Sequence, residues 1–225
     1  MSQKTKSENL FEKFCDLNQI PWEKIEESSL AKRPDYQVEF FGQDFIVEIK
    51  QFDPNKEERD LIRRQQQGEN IAFSINPGER IRKAIRSANS QLRQLSKGTI
   101  PTLLVVYDNV TSAPWWDHTS EYSMMTAMKG VDQIPIKVPR DPKKSVIFGE
   151  LESGGKRAMR SDANTTVSAV AEIRPYADDD IHFRVYHNWF ASVPIDPALL
   201  RISNIKQFRL PEVSRNSLDK SWELL

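Results

Sequence analysis

Cysteine is almost missing from this chain: Cys15 is the only one. An internal disulfide is therefore excluded, and nothing points to an oxidising compartment. No apolar run approaches the roughly 18–20 residues that span a bilayer. Residues 1–8 are polar and lack the apolar stretch of a secretory signal, so a cytoplasmic location is expected and no membrane partner. An excess of charge is lacking too, with 32 Lys and Arg against 32 Asp and Glu and a pI near 6.9. That balance argues against a protein that coats nucleic acid by bulk attraction, though by itself it decides nothing. Local binding stays open, because a site that also gathers carboxylates cancels its own cations in the total. There is no internal repeat, no Gly-rich phosphate loop and no Ser or Cys triad motif. His118, His182 and His187 have no metal-ligand spacing with Cys15, which argues against a zinc site.

What is present suits an α/β protein. The 225 residues are 38% hydrophobic and 28% charged, enough for one domain or a small domain with an appendage. Residues 7–18 read as a helix, with Leu10, Phe11, Phe14, Cys15 and Leu17 on one side. Thr5 and Glu8 have capping-box spacing at its start. Residues 20–25 alternate as an edge strand, and a polar loop, 26–33, leads to Pro34. Two further strands follow at 35–41 and 44–50, with Gly42-Gln43 as the turn between them. A helix is expected over 55–67 and a second over 79–97, where Gly98 stops it. Leu103–Tyr107 is a continuous apolar run, as in a strand buried on both faces.

This order gives a mixed central sheet flanked by helices. Residues 111–144 read as a long excursion containing Trp115-Trp116, a loop or core anchor before a base-stacking platform. Strands are expected at about 145–151, 167–174 and 181–187. The last two turn through 175–180, whose three aspartates read as a solvated turn. The division expected is a core over 1–110, a β-rich C-terminal extension packed on it over 111–210, and a loosely held tail over 211–225.

The chemistry concentrates on strand 44–50. Alternation puts Asp44, Ile46, Glu48 and Lys50 on one face, opposite Phe45, Val47 and Ile49. Glu48 and Lys50 are thus expected close together and partly desolvated. Asp35 opens the neighbouring strand, and the hairpin folds it back beside Glu48. Hydrolysing a phosphodiester needs oxygen ligands for a hard divalent cation. It also needs a group that orients or deprotonates the attacking water, a role open to lysine. Asp35, Glu48 and Lys50 supply that set.

Pro34-Asp35, twelve intervening positions and Glu48-Ile49-Lys50 together resemble the PD-(D/E)XK nuclease superfamily. The resemblance covers about residues 7–108 and implies a restriction-endonuclease-like core. It implies Asp35 and Glu48 as Mg²⁺ ligands, with Mn²⁺ able to substitute, and Lys50 as the catalytic lysine. Gln51 follows as the polar residue that often stands there. Such nucleases often add an acid from the first helix, for which Glu8 and Glu12 compete. Glu8 sits nearer the apolar stripe and Glu12 nearer solvent, so Glu8 is the expected third ligand. Its capping-box role with Thr5 is the competing reading.

The helix at 79–97 carries Arg80, Arg82, Lys83, Arg86 and Arg93 off its apolar face. Either this is a solvated face, or Arg80, Lys83 and Arg86 contact phosphate beside the site. Gln91 does not complete the Gln-x-x-x-Tyr signature of one exonuclease branch, because Leu95 stands where the tyrosine would be. Arg63, Arg64 and Gln65–Gln67 could line a substrate groove. Asp141-Pro142-Lys143 repeats the short acid-x-Lys pattern, but its central proline and flanks exclude a strand motif.

The expected function is a metal-dependent nuclease, foremost a DNA endonuclease of repair or defence type. The expected partner is nucleic acid, DNA before RNA, with a homodimer left open. The alternatives are a catalytically weak nucleic-acid-binding module that retains the fold, and an interaction protein whose motif is coincidence.

Overall fold

Apolar residues spaced by two and by three or four divide this chain into strands and helices that share one sheet. The structure is a computed structural model and describes residues 4–26, 33–72, 74, 76–110, 117–141, 143–150, 152–210 and 221–225. Trp115 and Trp116, most of the loop at 26–33, Pro142 and most of the tail at 211–225 lie outside the described residues.

The first helix, α1 (Lys6–Leu17), begins at a complete capping box. The Glu8 N–H donates to Thr5 Oγ1 at 3.3 Å, and the Thr5 N–H donates to Glu8 Oε2 at 2.8 Å. Next come β1 (Trp22–Lys24), β2 (Tyr36–Phe40) and β3 (Gln43–Phe52). β2 and β3 form the expected hairpin, but its turn lies one residue earlier than expected. Phe41 and Gly42 take φ of 48° and 80°, the two left-handed positions of a tight primed turn, and Gln43 already belongs to β3.

Two helices separate β3 from its parallel neighbour. They are α2 (Lys56–Gln66) and α3 (Glu79–Ser96), and β4 (Thr102–Asp108) then pairs with β3 in parallel. At the start of α3, Gly78 lets a second helix, α4 (Glu121–Met128), approach closely. A Cβ at Gly78 would lie 2.6 Å from the Ser123 carbonyl oxygen.

After α4 come four short strands, β5 (Val131–Gln133), β6 (Ile136–Lys137), β7 (Ile147–Phe148) and β8 (Glu152–Gly155). They pair as β5 with β8 and β6 with β7, outside the main sheet. The chain then re-enters that sheet through β9 (Ala169–Ala177), β10 (Asp180–His187), β11 (Ile205–Arg209) and β12 (Glu223–Leu224).

The result is mixed α/β, one eight-stranded sheet in the order β1-β2-β3-β4-β9-β10-β11-β12. β9 runs parallel beside β4, so residues on both sides of position 110 share the sheet. Each face is covered. On one side Phe11, Phe14 and Cys15 of α1 pack on Val38, Phe45, Val47, Val105 and Phe183. On the other, Ile81, Ile85, Ala88 and Leu92 of α3, with Met124 and Met128 of α4, pack on Ile46, Leu104, Val106 and Val170. β4 is buried between both layers, which is why it reads as a nearly continuous apolar run, while β3 beside it interrupts its apolar residues with Glu48 and Lys50 on one face. Among the described residues no helix is long and apolar enough to cross a membrane.

Candidate functional site

The alternation of β3 sorts its side chains as the sequence implies. Phe45, Val47 and Ile49 point into the α1 layer, while Ile46 and Phe52 belong to the α3 layer. Glu48 and Lys50 share the latter face. Glu48 is 0% exposed, whereas the Lys50 side chain keeps 29% of its surface. Lys50 Nζ pairs with Glu48 Oε1 and approaches Gln91 Oε1 of α3 at 3.4 Å. Gln91 is itself buried, and its Nε2 donates to the Arg33 carbonyl at 3.3 Å. One amide therefore links α3, Lys50 and the segment that delivers Asp35.

Asp35 lies just before β2, stitched to both neighbours. Its N–H donates to the Val47 carbonyl at 3.1 Å, and its own carbonyl accepts from Ile25 N–H at 2.9 Å. Its carboxylate accepts from Ile49 N–H at 2.6 Å. Asp35 is thus held against the Val47–Ile49 stretch that contains Glu48.

The electrostatics follow from that placement. Burial pushes the Glu48 carboxyl up to about 7; the Asp35 charge adds to the rise, and Lys50 and Gln91 oppose it. Burial likewise raises Asp35, against the Ile49 N–H and Lys50. Glu48 Oε2 is buried with no hydrogen-bond partner. An unpaired buried carboxylate oxygen is expensive, so it marks a place where a further group would be stabilising.

The other expected site residues are less concentrated. Gln51 falls on the opposite side of β3 from Lys50: its Oε1 accepts from Ser7 N–H at 3.0 Å, and its Nε2 donates to Asp53 at 2.8 Å. It anchors the first turn of α1. Glu8 serves the capping box and pairs with Lys24 at 2.6 Å. Burial raises its pKa, but Lys24 and Thr5 outweigh that and hold it below the usual range. Its charge still acts on Asp35, so capping and electrostatic contact coexist.

Glu12 requires a correction. It does not face solvent: it is 8% exposed, accepts from the Tyr36 hydroxyl at 2.7 Å and pairs with Lys4. The helix phase was displaced by Leu17, which is exposed, and Leu10, only partly buried. The buried stripe is centred on Ser7, Phe11 and Cys15, and its edge sweeps round to Glu12.

The cations of α3 also separate. Arg80 pairs with Glu58 of α2 and donates to the Asp53 carbonyl at 2.9 Å. Lys83 pairs with Glu79 at 2.6 Å on an exposed surface, and Arg86 is exposed. Arg82, expected off the apolar face, is buried and donates to the Pro77 and Thr126 carbonyls, both at 3.2 Å. None of the three histidines approaches Cys15 in a hydrogen bond or ion pair: His118 lies 3.2 Å from Glu58, His182 bonds Asp180 and His187 bonds Gln207. Asp141 and Lys143 lie outside any strand.

A second buried acid went unnoticed in the sequence. Glu172 on β9 is 1% exposed, and burial lifts it to about 7 against Arg174 and Thr119. The register Lys50, Val106, Glu172 sets it two strands from Lys50, about 10 Å away. Glu172-Ile173-Arg174 repeats the acid-x-cation spacing on an apolar strand, which is the signal that could have found it. Here Arg174 pairs with both Glu172 and Asp117, so a guanidinium bridges two acids on either side, and Glu172 Oε2 is likewise buried without a partner.

Among the described residues no three His, Cys, Asp or Glu side chains form a ready metal group. Asp35 and Glu48 are a pair. Mg²⁺ is commonly held by one or two carboxylates, with waters and substrate oxygens completing the shell. The orphaned Glu48 Oε2 is a donor atom of the right chemistry, so the residues fit such an ion. Compared with known protein families, curated proteins and solved structures, the chain matches none.

Proposed function

We propose that this chain is a divalent-metal-dependent nuclease of the PD-(D/E)XK type, foremost a DNA endonuclease, with Asp35, Glu48 and Lys50 at its centre. One observation carries the reading. Glu48 is buried with one oxygen on Lys50 and the other unpartnered, and Asp35 is fixed beside it by Ile49 N–H. Two carboxylates and one ammonium leave the cluster one negative charge in excess when ionised, and a divalent cation reverses that imbalance.

Asp35 and Glu48 would hold Mg²⁺ or Mn²⁺. When bound, such an ion polarises the phosphoryl oxygen and acidifies a coordinated water. Lys50 contributes donors and positive charge beside the phosphate, on a stem partly open to solvent. Gln91 limits the directions in which that amine can turn. The exposed Lys83 and Arg86 of α3 remain candidates for phosphate contact. Arg80, already braced by Glu58, is the weaker candidate of the expected three.

The test offers the purified protein supercoiled, linear, single-stranded and branched DNA, and RNA, each with Mg²⁺, Mn²⁺ or a chelator. Metal-dependent cleavage of DNA is expected. Binding without cleavage, in every metal and substrate, would support the non-catalytic binding module instead.

A further inference from the structure

Between α4 and β9 the chain leaves the main sheet and builds the two short ladders β5–β8 and β6–β7. Ile134, Ile136, Val138, Ile147 and Phe148 are each more than half exposed there, and Val146 is exposed beside them. A strand that packs on something hides alternate residues. Here the sequence neighbours Ile147 and Phe148 are both open, so neither face of the ribbon is covered. Exposed apolar side chains gathered in one place mark an interaction surface.

The charge on the same ribbon selects its partner. One segment of it, residues 137–144, carries Lys137, Arg140, Lys143 and Lys144 against one acid, Asp141, while the other acids, Asp132, Glu150 and Glu152, stand in or beside β5 and β8. Asp141 accepts from the Lys143 backbone N–H at 3.0 Å. All four cations are described, and none has an acidic partner among the described residues. In a chain whose total charge is zero, four cations against one acid is a local concentration. A symmetric dimer through this ribbon would set each patch against its own copy and bring like charges together. A polyanion has no such penalty.

We infer that residues 134–141 and 143–148 form an arm that grips duplex nucleic acid. Its cations meet phosphates, and its apolar strands enter a groove, which a two-stranded ribbon is narrow enough to do. Apolar side chains in such arms wedge against base steps while neighbouring cations hold the backbone. The choice of nucleic acid as the polyanion rests on the nuclease reading; the surface itself does not.

The test measures fluorescence anisotropy of a short labelled DNA duplex with the full-length protein, in chelator so that nothing is cut. Two variants of exposed residues are compared: Arg140→Glu/Lys143→Glu/Lys144→Glu and Ile136→Ser/Phe148→Ser. Unchanged thermal unfolding establishes that both are folded. The charge variant should bind at least ~10-fold more weakly, and the slope of log affinity against log salt should fall by about 3. The apolar variant should weaken binding with the slope retained. Parental affinity in both variants, or no duplex binding by the parent, overturns the arm. So does a parental dimer that Ile136→Ser/Phe148→Ser dissociates at unchanged duplex affinity, which would assign the ribbon to a second copy. Mn²⁺ binding is read by calorimetry on the same protein preparations without chelator or DNA. If the charge variant loses duplex but keeps Mn²⁺, arm and catalytic centre are separate; if the parent binds duplex but no Mn²⁺, the nuclease reading fails and the arm stands.

Discussion

Lys50 and Glu48, two residues apart on β3, share an ion pair that uses one Glu48 oxygen and leaves the other buried without a partner. The lysine therefore only half-satisfies its neighbour. Asp35, pressed against the same stretch by Ile49 N–H, adds a second negative charge rather than a compensating one.

Metal affinity and catalysis should separate on substitution of these residues. Calorimetry with Mn²⁺ should show binding in the parent and clear weakening in Asp35→Ala. Lys50→Ala should keep that affinity or raise it, because a positive charge beside the cation is removed. The same variant should cleave at least ~100-fold more slowly, the usual scale for losing a general acid–base group. A Lys50→Ala variant that cleaves at the parental rate would make the lysine structural.

The raised Glu48 pKa sets the sign of a pH effect. Its folded value, about 7, lies above the ordinary 4.5, so the folded state binds more protons between those limits. Stability of the metal-free protein should accordingly fall as pH rises from about 4.5 to about 7 and then level off. Glu48→Gln removes this titration. In chelator the variant should match the parent near pH 4.5 and exceed it at pH 8, by up to about 3 kcal/mol. Urea unfolding at the two pH values measures it, and equal stability at pH 8 would contradict the burial of an ionisable Glu48.

On α1 the two acids should fail in different ways. Glu12→Ala strands the buried Tyr36 hydroxyl and should cost about 1–3 kcal/mol. Glu8→Gln preserves an acceptor for the capping box and should change stability little. If its charge tunes Asp35, cleavage should fall while thermal unfolding stays within a few degrees. Full activity in Glu8→Gln would confine Glu8 to capping and its pair with Lys24.

Much of the site was legible because strand periodicity is strict. Once Phe45, Val47 and Ile49 are assigned to one layer, Glu48 and Lys50 must share the other, and the hairpin returns Asp35 beside them. Helix phase is less forgiving: Leu17, apolar yet exposed, rotated the inferred stripe and misplaced Glu12. α4 was missed for another reason. Ser123 to Met128 are all buried, so the helix has no polar face and no period to detect. β11 and β12 are short and mix polar and apolar residues with no strict period, and only pairing with β10 and with each other defines them. Glu172-Ile173-Arg174 carries an arginine where the acid-x-Lys pattern has a lysine, and no Pro-Asp hairpin strand precedes it.

Cleavage of supercoiled DNA in Mg²⁺ by the parent, Asp35→Asn and Glu48→Gln is the most direct test of the proposed centre. Each substitution keeps size and one acceptor oxygen and removes one charge. The parent should nick or linearise the plasmid in Mg²⁺ and not in chelator, and both variants should lose at least ~100-fold in rate while unfolding no earlier than the parent. Parental cleavage by either variant, or cleavage that persists in chelator, would contradict a metal-dependent nuclease built on Asp35 and Glu48.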